Sequence, residues 1–331
     1  MGIALLAVTL ALAQLPASPL TAPVPATAPT AAVTPAAPTP PTSPTPPTSP
    51  LSSIRNKLSA GDLLSAESIL EVYRIRNGED GAYLVGLSWL ARGALLMRDT
   101  AKASEYAKQV RARCADSLAN GVTLDKNNDV EIALGAAIEV EAQILEQRKG
   151  PEAAAGFVRA ELGRLDGPPA FLSRLHKRLN MLAIVGTAAP ELAIEDHVGD
   201  PPPSLASLRG KPVVIFEWSA TCGDCKAQEL TLARVKARHA NSDLQWIALT
   251  RHYDDIGERA AETARVDSVW KAVYADCGKM PIVLSTSSMI AYGGSSTPTF
   301  TFIDRRGIVS GYTPTRLTDA EFEKALAPIL R

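Results

Sequence analysis

No Asp, Glu, Lys or Arg occurs before Arg55. Aromatic residues make up only 5% of the 331-residue chain, and it has four cysteines and four histidines. The net charge is −1, with 34 basic residues against 35 acidic ones. That balance excludes a nucleic-acid binder working through bulk electrostatics. No apolar run approaches the ~20 residues a spanning helix needs, which argues against an integral membrane protein. The charge-free stretch also holds 13 of the 25 prolines, from Pro16 to Pro50, interleaved with Thr, Ala and Ser. Such a tract buries too little apolar surface to offset its ordering entropy and is expected to stay extended and solvated.

Ile3 to Leu12 is an apolar run of signal-peptide length, ending in the small-x-small pattern Ala11-Leu12-Ala13, although its only positive charge is the terminal amine. Residues 1–15 are therefore expected to be an export signal, or, uncleaved, a short peripheral anchor. Residues 16–50 are then a disordered Pro/Thr/Ala-rich linker, extending roughly 3 Å per residue where polyproline-like. Export would place the chain in an oxidising, extracytoplasmic (periplasmic) compartment where thiol pairs cycle.

Residues 51–184 carry apolar and small residues at three- and four-residue spacing, such as Leu63, Ala66, Ile69, Leu70 and Tyr73. The period predicts amphipathic helices, cut at Asn77-Gly78, Asp99-Thr100, Asn120-Gly121 and Gly150-Pro151. A faint echo, Gly61-Asp62 against Asp99-Thr100, loosely resembles tetratricopeptide-type hairpins. This all-α domain is either a surface for a protein partner or a plain bundle. It holds no catalytic constellation: Cys114 stands alone, and the basic run Arg174-Leu-His-Lys-Arg178 reads as a solvated face.

From Gly186 the pattern changes to strands alternating with helices. Buried strands are expected at Pro212 to Phe216, Leu244 to Leu249 and Pro281 to Leu284, with a helix over Asp254 to Arg265. A hairpin is expected across Asp304-Arg-Arg-Gly307, between Thr299–Ile303 and Ile308–Tyr312. Thr318 to Glu321 is a capping box opening a last helix. The result is an α/β domain, a mixed central sheet with helices on both faces.

Cys222-Gly-Asp-Cys225 follows the first buried strand and opens a helix. Unpaired N–H groups and the helix dipole there favour a thiolate, so Cys222 is expected as the exposed nucleophile and Cys225 as the buried resolving thiol. No second ligand pair completes a zinc site: His239, His252 and Cys277 lack the spacing. No metal and no cofactor is expected.

Residues 186–331 resemble the thioredoxin-fold domain of the TlpA/ResA type, exported bacterial thiol–disulfide oxidoreductases. The resemblance rests on Gly186-Thr-Ala-Ala-Pro190, Leu205-Ala-Ser-Leu-Arg-Gly-Lys211-Pro, Trp218 four residues before Cys222, and Tyr292-Gly-Gly-Ser-Ser-Thr297-Pro298-Thr-Phe300. It implies a cis peptide before Pro298, facing the cysteine pair, with the Thr297 backbone offered to an extended substrate. It also implies a redox-active Cys222–Cys225 disulfide, protein thiol or disulfide substrates, and an upstream thiol protein as electron donor.

Three departures qualify it. The intervening dipeptide is Gly223-Asp224, whose carboxylate tunes the couple toward the reducing side. Phe216 stands where an acid or amide is common, and the neighbouring Glu217 points to the opposite sheet face by alternation, as either a base for Cys225 or half of a structural ion pair. Gln228 stands where a second acid is common. Cys114 and Cys277 are buried free thiols, a mutual bridge, or, for Cys277, a relay to the pair. Two competing functions are a peroxidase of the AhpC/TSA type, which would need Pro at Ile215 although Ser219 fits, and a helical-repeat binding module with an inert thioredoxin-like domain. The neutral charge balance points to recognition through backbone and surface contacts rather than through charge.

Overall fold

A computed structural model describes residues 49–253 and 258–331. The expected export signal, the expected linker up to residue 48, and the first four residues of the helix expected from Asp254 lie outside them. Seven helices come first: α1 (Leu51–Ser59), α2 (Leu63–Asn77), α3 (Gly81–Leu96), α4 (Thr100–Ala119), α5 (Asn128–Lys149), α6 (Pro151–Arg164) and α7 (Pro169–Ala183). Their starts are set by short polar side chains. Asp62, Asp80, Asp99 and Asn127 each accept the N–H three residues on, from Ser65, Tyr83, Lys102 and Val130. Proline opens α6 and α7, where its missing N–H has no partner to lose. The stops are equally local: Gly78 and Gly150 take the left-handed φ that ends α2 and α5. The stripes of these helices converge on a core of Leu70, Leu87, Ala107, Ile138 and Leu175.

The second half builds a six-stranded sheet from β1 (Asp196–Val198), β2 (Val213–Glu217), β3 (Gln245–Thr250), β4 (Ile282–Leu284), β5 (Thr299–Ile303) and β6 (Val309–Thr313), in the order β1-β4-β3-β2-β5-β6. β2, β3 and β4 run parallel to one another; β1, β5 and β6 pair antiparallel. The helices are α8 (Gly223–Ala227), α9 (Glu229–Arg238), α10 (Arg259–Val273), α11 (Thr286–Ala291) and α12 (Asp319–Leu326). Period-two alternation sorts the strand residues. Val214, Phe216, Ala248 and Phe300 join Leu232, Trp270 and Phe322 on one face. Val213, Ile215, Leu249 and Val283 join Met289, Tyr292 and Ile184 on the other.

The sequence pattern missed β1, three residues long and half polar, and α11, whose serine-rich stretch reads as a loop until Ser285 caps it by accepting the Ser288 N–H. It also ended one helix early: α10 continues past Arg265 to Val273 and brings Trp270 into the core.

The last turn of α7 enters the second face through Ile184. The chain then runs along β6: the Gly186 N–H donates to Val309 O at 2.8 Å, Val309 N–H to Thr187 O at 2.9 Å, and Ala189 N–H to Gly307 O at 3.0 Å. Further up, Asn180 Nδ2 donates to Ala291 O at 3.0 Å, and a Cβ on Gly293 would sit 2.5 Å from Lys177 Cα. The helical and α/β parts lie within one compact unit.

Candidate active site

β2 ends at Glu217, and the chain turns at once into the cysteine pair at the start of α8. Cys222 is the N-cap residue and its Sγ accepts the Cys225 N–H at 3.0 Å. That bond stabilises negative charge on the sulfur. Cys222 is half-buried and Cys225 fully buried; the two form a disulfide with Cα atoms 5.3 Å apart. Across from them the Thr297–Pro298 peptide is cis, and the Thr297 carbonyl oxygen lies 3.2 Å from Cys222 Sγ. A half-exposed sulfur at a helix start, a buried partner and an adjacent free backbone edge are the parts needed for thiol–disulfide exchange.

The neighbouring residues fall in distinct places. Trp218 is wholly buried and lies beneath the motif, with ring centroids 5.1 Å from Trp270 and 5.3 Å from Tyr274. Asp224 is 71% exposed and stands 3.7 Å from the Arg316 guanidinium, which offsets its charge near Cys222. Phe216 stacks on Phe300 at 5.2 Å, so apolar packing fills the position where an acid is common. Gln228 is buried and its amide pairs both ways with the Leu317 backbone, at 2.9 and 2.8 Å.

Glu217 is fully buried on the face away from Cys225, where β2 alternation sends it, and this removes it as a base for Cys225. It makes no ion pair among the described residues either. Oε1 accepts the Thr301 hydroxyl at 3.4 Å and Oε2 has no partner. Burial pushes its carboxyl well above the usual range, and the Thr301 hydroxyl pulls only partly the other way. Its environment in the sheet core favours the protonated acid, a situation neither sequence alternative described.

Cys114 and Cys277 are both free and buried, so no bridge joins them. Each thiol is pushed up to about 12, chiefly by burial, and lies near a carbonyl, Val130 O and Glu229 O respectively. Thiols so held are inert in exchange, which speaks against a relay through Cys277.

Residues 184–326 match the Redoxin family model. Those residues form a redoxin domain. It has the thioredoxin fold and is a thioredoxin-like oxidoreductase. No curated protein matches the chain. Among solved structures it is similar to a thiol:disulfide interchange protein of Chlorobium tepidum, at 21% identity over 44% of this chain and 97% of that one, TM-score 0.36. A thiol-disulfide isomerase of Corynebacterium glutamicum matches at 20% identity over 44% and 96%, TM-score 0.35. StoA of Bacillus subtilis matches at 16% over 42% and 98%, TM-score 0.34.

The redoxin domain does not form its cleft alone. A cavity of about 1090 Å³ opens over Cys222, Thr297 and Pro298, and its other side is built by Arg92 of α3, Glu139 of α5, and Arg174 and Lys177 of α7. The basic run of α7 is therefore not a solvated face: none of residues 171–180 is exposed. Arg174 reaches Glu139 at 2.6 Å and Ile132 O at 3.0 Å; Arg178, only 9% exposed, pairs with Glu146. Lys177 Nζ lies 3.5 Å from Glu139 and 3.3 Å from Ser296 Oγ, one residue before the Thr297–Pro298 pair. The signal for this wall was present as Glu139 and Glu146, seven residues apart on α5, matching the basic residues of α7.

Proposed function

We propose that the chain is an exported thiol–disulfide oxidoreductase that reduces or exchanges disulfides in protein segments, with Cys222 as nucleophile and Cys225 as resolving thiol. The observation that carries the reading is the asymmetry of the pair: a half-exposed Cys222 Sγ, held by the Cys225 N–H beside the cis Thr297–Pro298 bond, over a fully buried Cys225.

In the reducing direction the Cys222 thiolate attacks one sulfur of a substrate disulfide and the other leaves as a thiolate. The Thr297 backbone holds the extended substrate during this mixed disulfide, and Trp218 supports the motif from below. The Cys225 thiolate then attacks Cys222 Sγ, releasing the second substrate thiolate and leaving the Cys222–Cys225 disulfide. A thiol protein supplies the two electrons that restore the pair, and Asp224, its charge partly offset by Arg316, makes the couple slightly more reducing. Among the described residues no helix is long and apolar enough to cross a membrane. The charge-free first 54 residues, with their apolar run and proline tract, support export.

Insulin reduction by the full chain tests this. Cys222→Ser should abolish turnover, whereas Cys225→Ser should accumulate a mixed disulfide that runs as a shifted band without reductant. Peroxide consumption through Cys222 with no insulin reduction would favour the peroxidase instead. Activity that survives Cys222→Ser would overturn the assignment.

A further inference from the structure

We propose that the helical part of the chain is the second wall of the catalytic cleft and selects disulfide-bearing peptide segments rich in carboxylates. This rests on the oxidoreductase reading and names its substrate class.

The first observation is how the wall is held. Three contacts tie α7 to the segment that carries the cis peptide: Lys177 Nζ to Ser296 Oγ, Asn180 Nδ2 to Ala291 O, and the close approach of the Lys177 backbone to Gly293. Gly293 has φ +76° and no side chain, so α7 lies directly against the loop. The wall and the Thr297–Pro298 edge therefore share one frame, and a substrate on that edge also faces α7.

The second observation is charge. Around Glu139 stand Arg174 at 2.6 Å, Lys177 at 3.5 Å and Arg92 at 3.9 Å. Three cations on one carboxyl leave the helical wall positive. Arg251 and Arg316 line the opposite side. Among the described residues the cleft is lined by five cationic side chains against the three acids Glu131, Glu139 and Asp224, an excess of two positive charges. A cleft whose lining carries an excess of one sign attracts the opposite charge and repels like charge. The chain as a whole is neutral, so this field is local.

The third observation is size. At about 1090 Å³ the cavity lies just above the range for small-ligand pockets, roughly 300–1,000 Å³. It has room for a short extended strand beside Cys222, whereas a broad folded surface would meet α7 first. Carboxylates flanking the reacting cysteine would lie within reach of Lys177 and Arg92 on one side and Arg316 on the other.

The test uses the full-length protein, pre-reduced, and three peptides containing one Cys-Ser-Ser-Cys disulfide flanked by Asp, Ser or Lys. Glutathione disulfide serves as a small anionic disulfide. Second-order rate constants for oxidation of the Cys222–Cys225 pair are measured at low salt and at 0.5 M NaCl. The expected result is a preference of about tenfold or more for the Asp over the Lys peptide at low salt, shrinking severalfold at high salt. The double variant Arg92→Gln, Lys177→Gln should bring the preference below about threefold, whereas Lys271→Gln, outside the cleft, should keep it. If the double variant does not fold, the salt dependence of the wild type decides. Equal rates for all three peptides would overturn the inference and leave the oxidoreductase reading standing. Glutathione disulfide reacting faster than the Asp peptide would overturn the peptide assignment. No reaction with any peptide or with insulin would remove both.

Discussion

Glu217→Gln isolates a buried proton. The Glu217 carboxyl is wholly buried and held well above its ordinary value of 4.5, whereas in the unfolded chain it returns to that value. Between the two values the native state keeps a proton that the unfolded state has lost. Stability from this group is therefore fully present below pH 4.5 and declines as pH rises through the window. One proton of difference is worth ~1.4 kcal/mol per pH unit for as long as the native state keeps the proton. His176 acts in the opposite sense, since burial lowers its value and stability is lost as pH falls below 6.5. Comparing wild type with Glu217→Gln cancels that contribution. The amide keeps the shape of the neutral acid and can still accept from Thr301. Urea unfolding of both proteins at pH 5.5, 6.0, 6.5 and 7.0 should show the variant gaining steadily on the wild type, at a slope of up to ~1.4 kcal/mol per pH unit. A difference that stays flat with pH would refute the neutral-acid reading.

Gly293→Ala forces a side chain into a left-handed backbone 2.5 Å from Lys177 Cα and should cost at least about 2 kcal/mol, seen as a Tm drop of several degrees; an unchanged Tm would sink the close-packing account. Gln228→Leu leaves the buried N–H and C=O of Leu317 without partners and should destabilise by about 2–4 kcal/mol in urea. In the reduced protein at pH 7.5, iodoacetamide should modify Cys222 first, with Cys114 and Cys277 labelled only in denaturant. Peptide mass mapping reads this out, and early labelling of Cys277 would contradict its burial.

Much of the fold was legible because its determinants are local. Asp99, Pro151 and the break at Asn77-Gly78 mark helix ends through their own backbone chemistry, and Val213 to Phe216 announces a buried strand by its unbroken apolar run. Cys222 and Cys225 stood out for the same reason, as a short motif with its own geometry, whereas the Thr297-Pro298 pair stood out only through the family resemblance its segment carries. What escaped depends on distant partners. Glu217 could be assigned to a sheet face but not to a shifted titration, because that follows from its burial and from the lack of an ion-pair partner among the described residues. Arg174 to Arg178 read as solvated because a basic helix face usually is, and only the packing of α5 and α7 shows which carboxyls it meets. The bulk charge balance concealed the local excess in the cleft for the same reason: a sum over the chain carries no position.

The strand-like course of residues 186–189 along β6 covers part of an exposed sheet edge. A strand at the end of a sheet offers unpaired N–H and C=O groups to any other chain with a similar edge. Here the connector between the two halves occupies part of that edge through its bonds with Gly307 and Val309. A chain beginning after Ala189 would keep all six strands and both cysteines yet leave this row of groups bare. Polymerisation of such a shortened chain would then measure what the joint contributes beyond linking one half to the other.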